Sequence, residues 1–168
     1  LVSYRADTLD GRAGERTLAR LRELGWFAQV FADDVQWPGI AAVLRSTRVK
    51  VLVDHFGVRH PEGGVNQPGF AAVLALGRDG NAAVKFSAPF RISRRPADFA
   101  DLDEFAEALL EAFGSGGCIW GSDWPFLNLP GGYRYSAVRR AVERWLADPR
   151  QREAVLWSNP ARLFGFGA

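Results

Sequence analysis

The sequence predicts an α/β fold of the (β/α)8 TIM-barrel kind, of which this chain supplies about five βα units. Three observations lead there. Short apolar runs of β type alternate with segments of helical period along the chain, which is the pattern of repeated βα units. No G-x-G-x-x-G turn follows any predicted strand, and that removes the usual mark of an open dinucleotide-binding sheet. Polar residues gather where strands end, at Arg5, at Asp54 and His55, at Lys85 and Ser87, and at Ser122 and Asp123. Barrel enzymes collect their chemistry at the C-terminal ends of their strands.

Taken in order, strands are expected at about 1–5, 26–31, 50–55, 82–87 and 117–122. The first three are followed by weaker helical patterns near 14–24, 38–46 and 68–77. After the fourth comes the clearest helix, about 99–113, where Leu102, Phe105, Ala106, Leu109, Leu110 and Phe113 recur at three and four residues and form one apolar stripe. Asp101 and Glu104 stand at capping-box spacing at its start. The last strand leads to a helix at about 136–147, with Val138, Ala141, Val142, Trp145 and Leu146 on one face. Asn159 followed by Pro160 reads as an N-cap with proline at the first helical position. Strands separated by single helices are parallel and joined by right-handed crossovers. Five such strands cannot close a barrel of eight. Either further strands precede Leu1, or the chain is a half-barrel that pairs with a partner, as in a homo-oligomer.

Composition narrows the function classes. With 168 residues, 48% apolar and 24% charged, the chain suits one globular domain over 1–168. No run of about 18 apolar residues and no secretory leader pattern occurs, so membrane insertion and secretion are not expected and a cytoplasmic setting fits. Cys118 is the only cysteine, which excludes an internal disulfide and a multi-cysteine metal site. The net charge of +2 is carried by arginines scattered among acidic residues rather than by a basic block, so no nucleic-acid partner is expected.

Alternation along strands decides which polar groups can meet. His55 shares a face with Val51 and Val53, Asp54 shares one with Leu52, and Asp123 shares one with Ile119 and Gly121. If His55 and Asp123 lie on inward faces, both look into the barrel mouth, where a carboxylate can take a proton from water and a neighbouring cation can stabilise an oxyanion. Against this stands a plainer reading in which the two residues only end strands and cap loops. Lys85 and Ser87 have the opposite parity to Val84 and Phe86, and the sequence does not say which pair faces in. Trp120 and Trp124 flank Asp123 and suit either a pocket wall or packing; His60, before Pro61, suits solvent.

Four segments together, Val53-Asp54-His55-Phe56-Gly57, Val84-Lys85-Phe86-Ser87-Ala88 leading to Arg91, Trp120-Gly121-Ser122-Asp123-Trp124-Pro125 and Asn159-Pro160-Ala161-Arg162-Leu163-Phe164, resemble the amidohydrolase-related family. Their order and spacing are most similar to its 2-pyrone-4,6-dicarboxylate lactonase-like members. The resemblance implies that the chain covers about the C-terminal five βα units of a TIM-barrel. It implies that Asp123 corresponds to the aspartate that activates hydrolytic water, and His55 to an inward histidine that binds metal or the substrate's polar head. Arg91 resembles the arginine that holds a substrate carboxylate, a role suited to its donor fork. Arg5 and Asn128 stand where such members carry further substrate-binding residues. Phe126 replaces a histidine found in several relatives, Phe31 falls where some have tyrosine, and the family's H-x-H pair has no counterpart in this chain.

The resulting expectation is a hydrolase that opens a carboxylate-bearing lactone or similar cyclic ester through Asp-activated water. The substrate is a small carboxylate. No cofactor is required in this reading; zinc or manganese is the alternative, with His55 and Asp123 as ligands. Its rivals are a metal-dependent decarboxylase or amidohydrolase of the same superfamily, and a non-catalytic barrel fragment acting as an interaction module.

Overall fold

The computed structural model describes Val2, Ser3, Leu9 and residues 11–126 and 134–166. Five strands, β1 (Val2–Ser3), β2 (Phe27–Val30), β3 (Lys50–Val53), β4 (Ala82–Ser87) and β5 (Cys118–Gly121), pair in parallel in the order β1-β2-β3-β4-β5. That order decides between the two parallel architectures. With right-handed crossovers, an order that never reverses puts every connecting helix on one face, whereas a doubly wound sheet reverses and is covered on both. The sheet is therefore a wall of a (β/α)8 barrel.

The strands are joined by α1 (Gly11–Glu23), α2 (Trp37–Thr47), α3 (Pro68–Arg78), the one-turn α4 (Pro89–Ile92) and α5 (Asp103–Phe113). After β5 come α6 (Tyr135–Trp145), α7 (Pro149–Glu153), a π turn at Ala154–Ser158 and α8 (Asn159–Phe164). The expected stripe of α5 is realised, with Leu102, Phe105, Ala106 and Leu109 buried. On α6 the expected face is buried throughout. No helix among the described residues is long and apolar enough to cross a membrane.

The two sheet faces differ in the way that fixes the site. Ala28, Val30, Val51, Val53, Val84, Phe86 and Cys118 join the helices in the main core. Leu52, Ala83 and Ile119 form a separate cluster on the other face, against Phe27 and Leu163. The second cluster is the apolar floor of the barrel interior. In-phase polar residues further along each strand, Gln29, Asp54, Lys85 and Ser87, then rise above it by the two-residue period of a strand.

Two local expectations are corrected. Asp101 does not cap α5. It lies in the turn Ala100–Leu102 before the helix, and its carboxylate accepts from the Ser93 hydroxyl and from the Arg94 N–H at 2.7 Å, so it ties the segment after α4 instead. Asn159 is not an N-cap either, because the π turn runs straight into α8. Its buried amide donates to the Ser115 and Cys118 carbonyls at 2.6 and 2.9 Å and straps α8 to the start of β5.

Candidate active site

The strand C-terminal ends carry the backbone strain. Seven described non-glycine residues have positive φ, and five of them, His55, Phe56, Ala88, Asp123 and Phe126, follow β3, β4 or β5. Such conformations cost about 1–3 kcal/mol each and persist where surrounding packing imposes them.

The turn after β3 shows how. Val51 and Val53 face the helices, so the alternation that puts them inward with His55 is overturned. The alternation stops at Val53, and His55 (φ 51°), Phe56 (φ 61°) and Gly57 (φ 66°) take left-handed conformations in succession. Phe56 thereby enters the outer core, fully buried, with its ring stacked on Phe86 at 5.0 Å and edge-on to Trp145 at 5.1 Å. Burying such a ring contributes about 1.5–3 kcal/mol, comparable to the strain of one such residue. Gly57 has no room for a side chain: a Cβ there would stand 2.8 Å from methyls of Val53 and Val73. His55 is thus carried over to the interior side, where its Nδ1 lies 2.8 Å from Ser87 Oγ, the tautomer deciding which atom donates.

The ends of β4 and β5 supply the remaining groups. Val84 and Phe86 face the helices, so Lys85 and Ser87 are the inward pair. The left-handed Ala88, itself buried, turns the chain into α4 and brings Arg91 across to Asp123, whose Oδ2 accepts from Arg91 Nε at 2.6 Å. Asp123 lies in phase with the inward Ile119, as expected. Ser122 Oγ accepts the Trp124 N–H at 3.2 Å, and the Asp123 carbonyl accepts the Phe126 N–H at 3.1 Å, so the loop is held on both sides of the carboxylate. Trp120 packs on the helix-side core, and Trp124 is largely exposed.

Below His55 lies a chain of polar groups spanning three strands. Asp54, only 5% exposed, accepts from Gln29 Nε2 at 2.6 Å through Oδ2, and Lys85 Nζ sits 2.8 Å from its Oδ1. Oδ1 lacks a hydrogen bond of good angle, but an ammonium rotates freely and at that distance the ion pair is the sounder description. Gln29 escapes sequence reasoning. Its signal is a polar residue in phase with Phe27 and Phe31 on a strand whose other face is Ala28 and Val30.

The charges of these groups act on the His55 imidazole. Burial pushes the His55 imidazole below its ordinary value, the Asp54 and Asp123 carboxylates oppose this, and Lys85 and Arg91 add to it. The ring is therefore neutral at pH 7. Cys118, in contrast, is a buried thiol pushed up to about 12 by desolvation on the helix side, and takes no part.

The rim is stitched across neighbouring loops. Phe31 meets His55 edge-on at 5.0 Å, and the Arg59 guanidinium lies 4.9 Å above Phe31 while pairing with Asp33 at 3.1 Å. Asp34 accepts the backbone N–H of Arg59 and His60 at 3.4 and 3.1 Å, and burial raises its carboxyl above the usual range despite those bonds. His60 itself is exposed, as expected. Arg5 and Asn128 lie outside the described residues.

A zinc or manganese ion requires about four to six ligands. Among the described residues no group of three His, Cys, Asp or Glu side chains is placed to hold one. His55 and Asp123 would supply two, short of the number required, so these residues do not compose a metal centre by themselves. A cleft of about 660 Å³ opens at the opposite ends of the strands, between Phe27, Lys50, Ala83, Ile119 and Leu163. Among the described residues no carboxylate or histidine lines it, and the strained backbone and interacting charges lie at the other end, which is where we place the candidate site.

A family model described as Amidohydrolase matches residues 1–166. The chain is 31% identical over 166 residues to the 4-sulfomuconolactone hydrolase of Hydrogenophaga intermedia, covering 94% of this chain and 52% of that protein. Among solved structures it is similar to a Pseudomonas putida protein whose proposed activity is that of a 2-pyrone-4,6-dicarboxylic acid hydrolase, with TM-score 0.84, 28% identity and coverage of 95% and 59%. A Burkholderia multivorans amidohydrolase with bound zinc shares the fold, at TM-score 0.81 and 22% identity, with coverage of 96% and 60%. The chain spans about half the length of the curated relatives it matches. By a family match that runs almost end to end, and by the barrel wall and strand-end site described above, the chain belongs to the amidohydrolase family.

Proposed function

We propose that this chain carries the catalytic end of a hydrolase that opens a lactone or similar cyclic ester bearing a carboxylate. The observation that carries the reading is the meeting of Asp123, Arg91 and His55 at the C-terminal ends of β3, β4 and β5 in a chain akin to lactone hydrolases. Asp123 takes a proton from water as that water attacks the ring carbonyl. Arg91, held against Asp123, orients the substrate carboxylate and stabilises developing negative charge. His55 is neutral, with Nδ1 engaged by Ser87, so Nε2 is left to hydrogen-bond the substrate; the intermediate then collapses, its C–O ring bond breaks, and the expelled ring oxygen takes the proton that Asp123 removed from water. Arg5 and Asn128 are proposed as further substrate contacts. The test is hydrolysis of 2-pyrone-4,6-dicarboxylate and 4-sulfomuconolactone by the full-length natural protein, followed by absorbance, with and without a chelator. Ring opening that survives chelation supports the mechanism. Ring opening abolished by chelation and restored by zinc would replace it with a metal-dependent one, and no ring opening of either lactone would refute the reading.

A further inference from the structure

We infer that Lys85 is a substrate-binding residue, whose ammonium holds an acidic group of the substrate at the floor of the site. This rests on the hydrolase reading. Lys85 faces the interior, in phase with Ala83 and Ser87, and its side chain remains 21% exposed. An ammonium has three donors and no acceptor. Among the described residues, its only direct partner is Asp54 Oδ1, at 2.8 Å. The side chains in phase with it on the neighbouring strands offer little else: Leu52, Ala83 and Ile119 are apolar and Gly121 has none, so the part-exposed ammonium keeps donors for solvent or a ligand.

Space for a ligand oxygen exists one inward position above it: Gly121 pairs with Ser87, and among the described residues a Cβ placed there would meet only Ser87 Cβ, at an ordinary 3.7 Å. An acidic group entering past Gly121 finds an ammonium held in place by Asp54, which is fixed in turn by Gln29 at 2.6 Å. Arg91 meets the substrate at the rim and Lys85 meets it at the floor, and both charges act on His55.

Removing Lys85 alone leaves Asp54 buried without a counter-charge, and the protein then risks misfolding. The informative variant therefore combines Asp54→Asn with Lys85→Met, so that both charges go together and the amide that replaces the Asp54 carboxylate can still accept from Gln29. Turnover of 2-pyrone-4,6-dicarboxylate and calorimetric binding of the same compound are measured on the full-length protein. If Lys85 holds an acidic group, the folded double variant shows KM and Kd raised about 10- to 100-fold with kcat much less affected, because a ground-state contact is lost. A folded double variant with wild-type KM and Kd would overturn the proposal while leaving the hydrolase reading intact. Binding that depends on Lys85 without any hydrolysis would do the reverse, and a wild-type protein that neither binds nor hydrolyses the compound would overturn both.

Discussion

The sharpest test of the mechanism is Asp123→Asn. Asparagine keeps the size of the side chain and is one of the few residues at ease with a φ of 55°, so the backbone should not move. What changes is the base and its pairing with Arg91. That pair is close, at 2.6 Å, but its side chains remain 27% and 28% exposed, and solvent screening limits such a pair to roughly 0.2–1 kcal/mol. For a chain of 168 residues this corresponds to a melting-temperature loss of at most about 4 °C. Loss of a general base costs about 100- to 10,000-fold in turnover, or roughly 2.7–5.4 kcal/mol of barrier. The two roles therefore differ by several-fold in energy and register in different measurements. We expect a folded variant with kcat reduced into that range, a nearly unchanged melting temperature, and retained lactone binding. A folded Asp123→Asn protein with wild-type kcat would refute the reasoning.

Three further outcomes are expected. Arg91→Lys keeps the charge but loses the planar fork, and should raise KM on the order of 10- to 100-fold; unchanged kinetics would remove Arg91 from the substrate's reach. Since His55 is held below its ordinary value near 6.5, the unfolded chain takes up that proton more readily than the folded one, so this contribution is fully present above about pH 6.5 and is lost as pH falls through the depressed value. Melting curves from pH 8 downward should therefore show a decline that His55→Asn reduces. Gly57→Ala should destabilise by roughly 2–4 kcal/mol in urea titration, combining the left-handed strain of a Cβ with its clash against Val53 and Val73.

What could be read in the sequence was whatever period and spacing encode. All five strands and the apolar faces of α5 and α6 follow from periodicity, whereas the meeting of Asp123 with Arg91 depends on the turns after β4 and β5, which periodicity does not encode. The failures arise where the backbone leaves its period. His55 reaches the interior through three consecutive left-handed residues, not through the alternation of β3, which points the other way. Asp101 and Asn159 sit at helix starts with capping chemistry, yet each serves a distant segment because tertiary acceptors and donors were better placed than the local ones. The direction of Lys85 was undetermined because Val84-Lys85-Phe86-Ser87 alternates cleanly in both senses. Only the presence of helices on one side resolves it.

The site's geometry is inherited from the core behind it. His55 occupies a conformation that it would not hold alone, and the packing that imposes it lies on the opposite face of the sheet. Phe56 is locked between Phe86 and Trp145, and Ala88 is buried where β4 turns into α4. The motif Asp54-His55-Phe56-Gly57 is therefore one device: an interior anion, a histidine turned out of phase, an aromatic anchor in the outer core, and a glycine where no Cβ fits. Phe86 connects the two sides, since it stacks on the anchor while its neighbours Lys85 and Ser87 reach the floor cation and the histidine's hydrogen bond. Because adjacent strands stand about 4.8 Å apart, three consecutive strands bring an acid, a neutral imidazole and two cations within reach of one small substrate. On the proposed mechanism, the register of these strands, with Gln29 of β2 fixing Asp54 and aromatic packing enforcing the strand ends, sets where those groups stand.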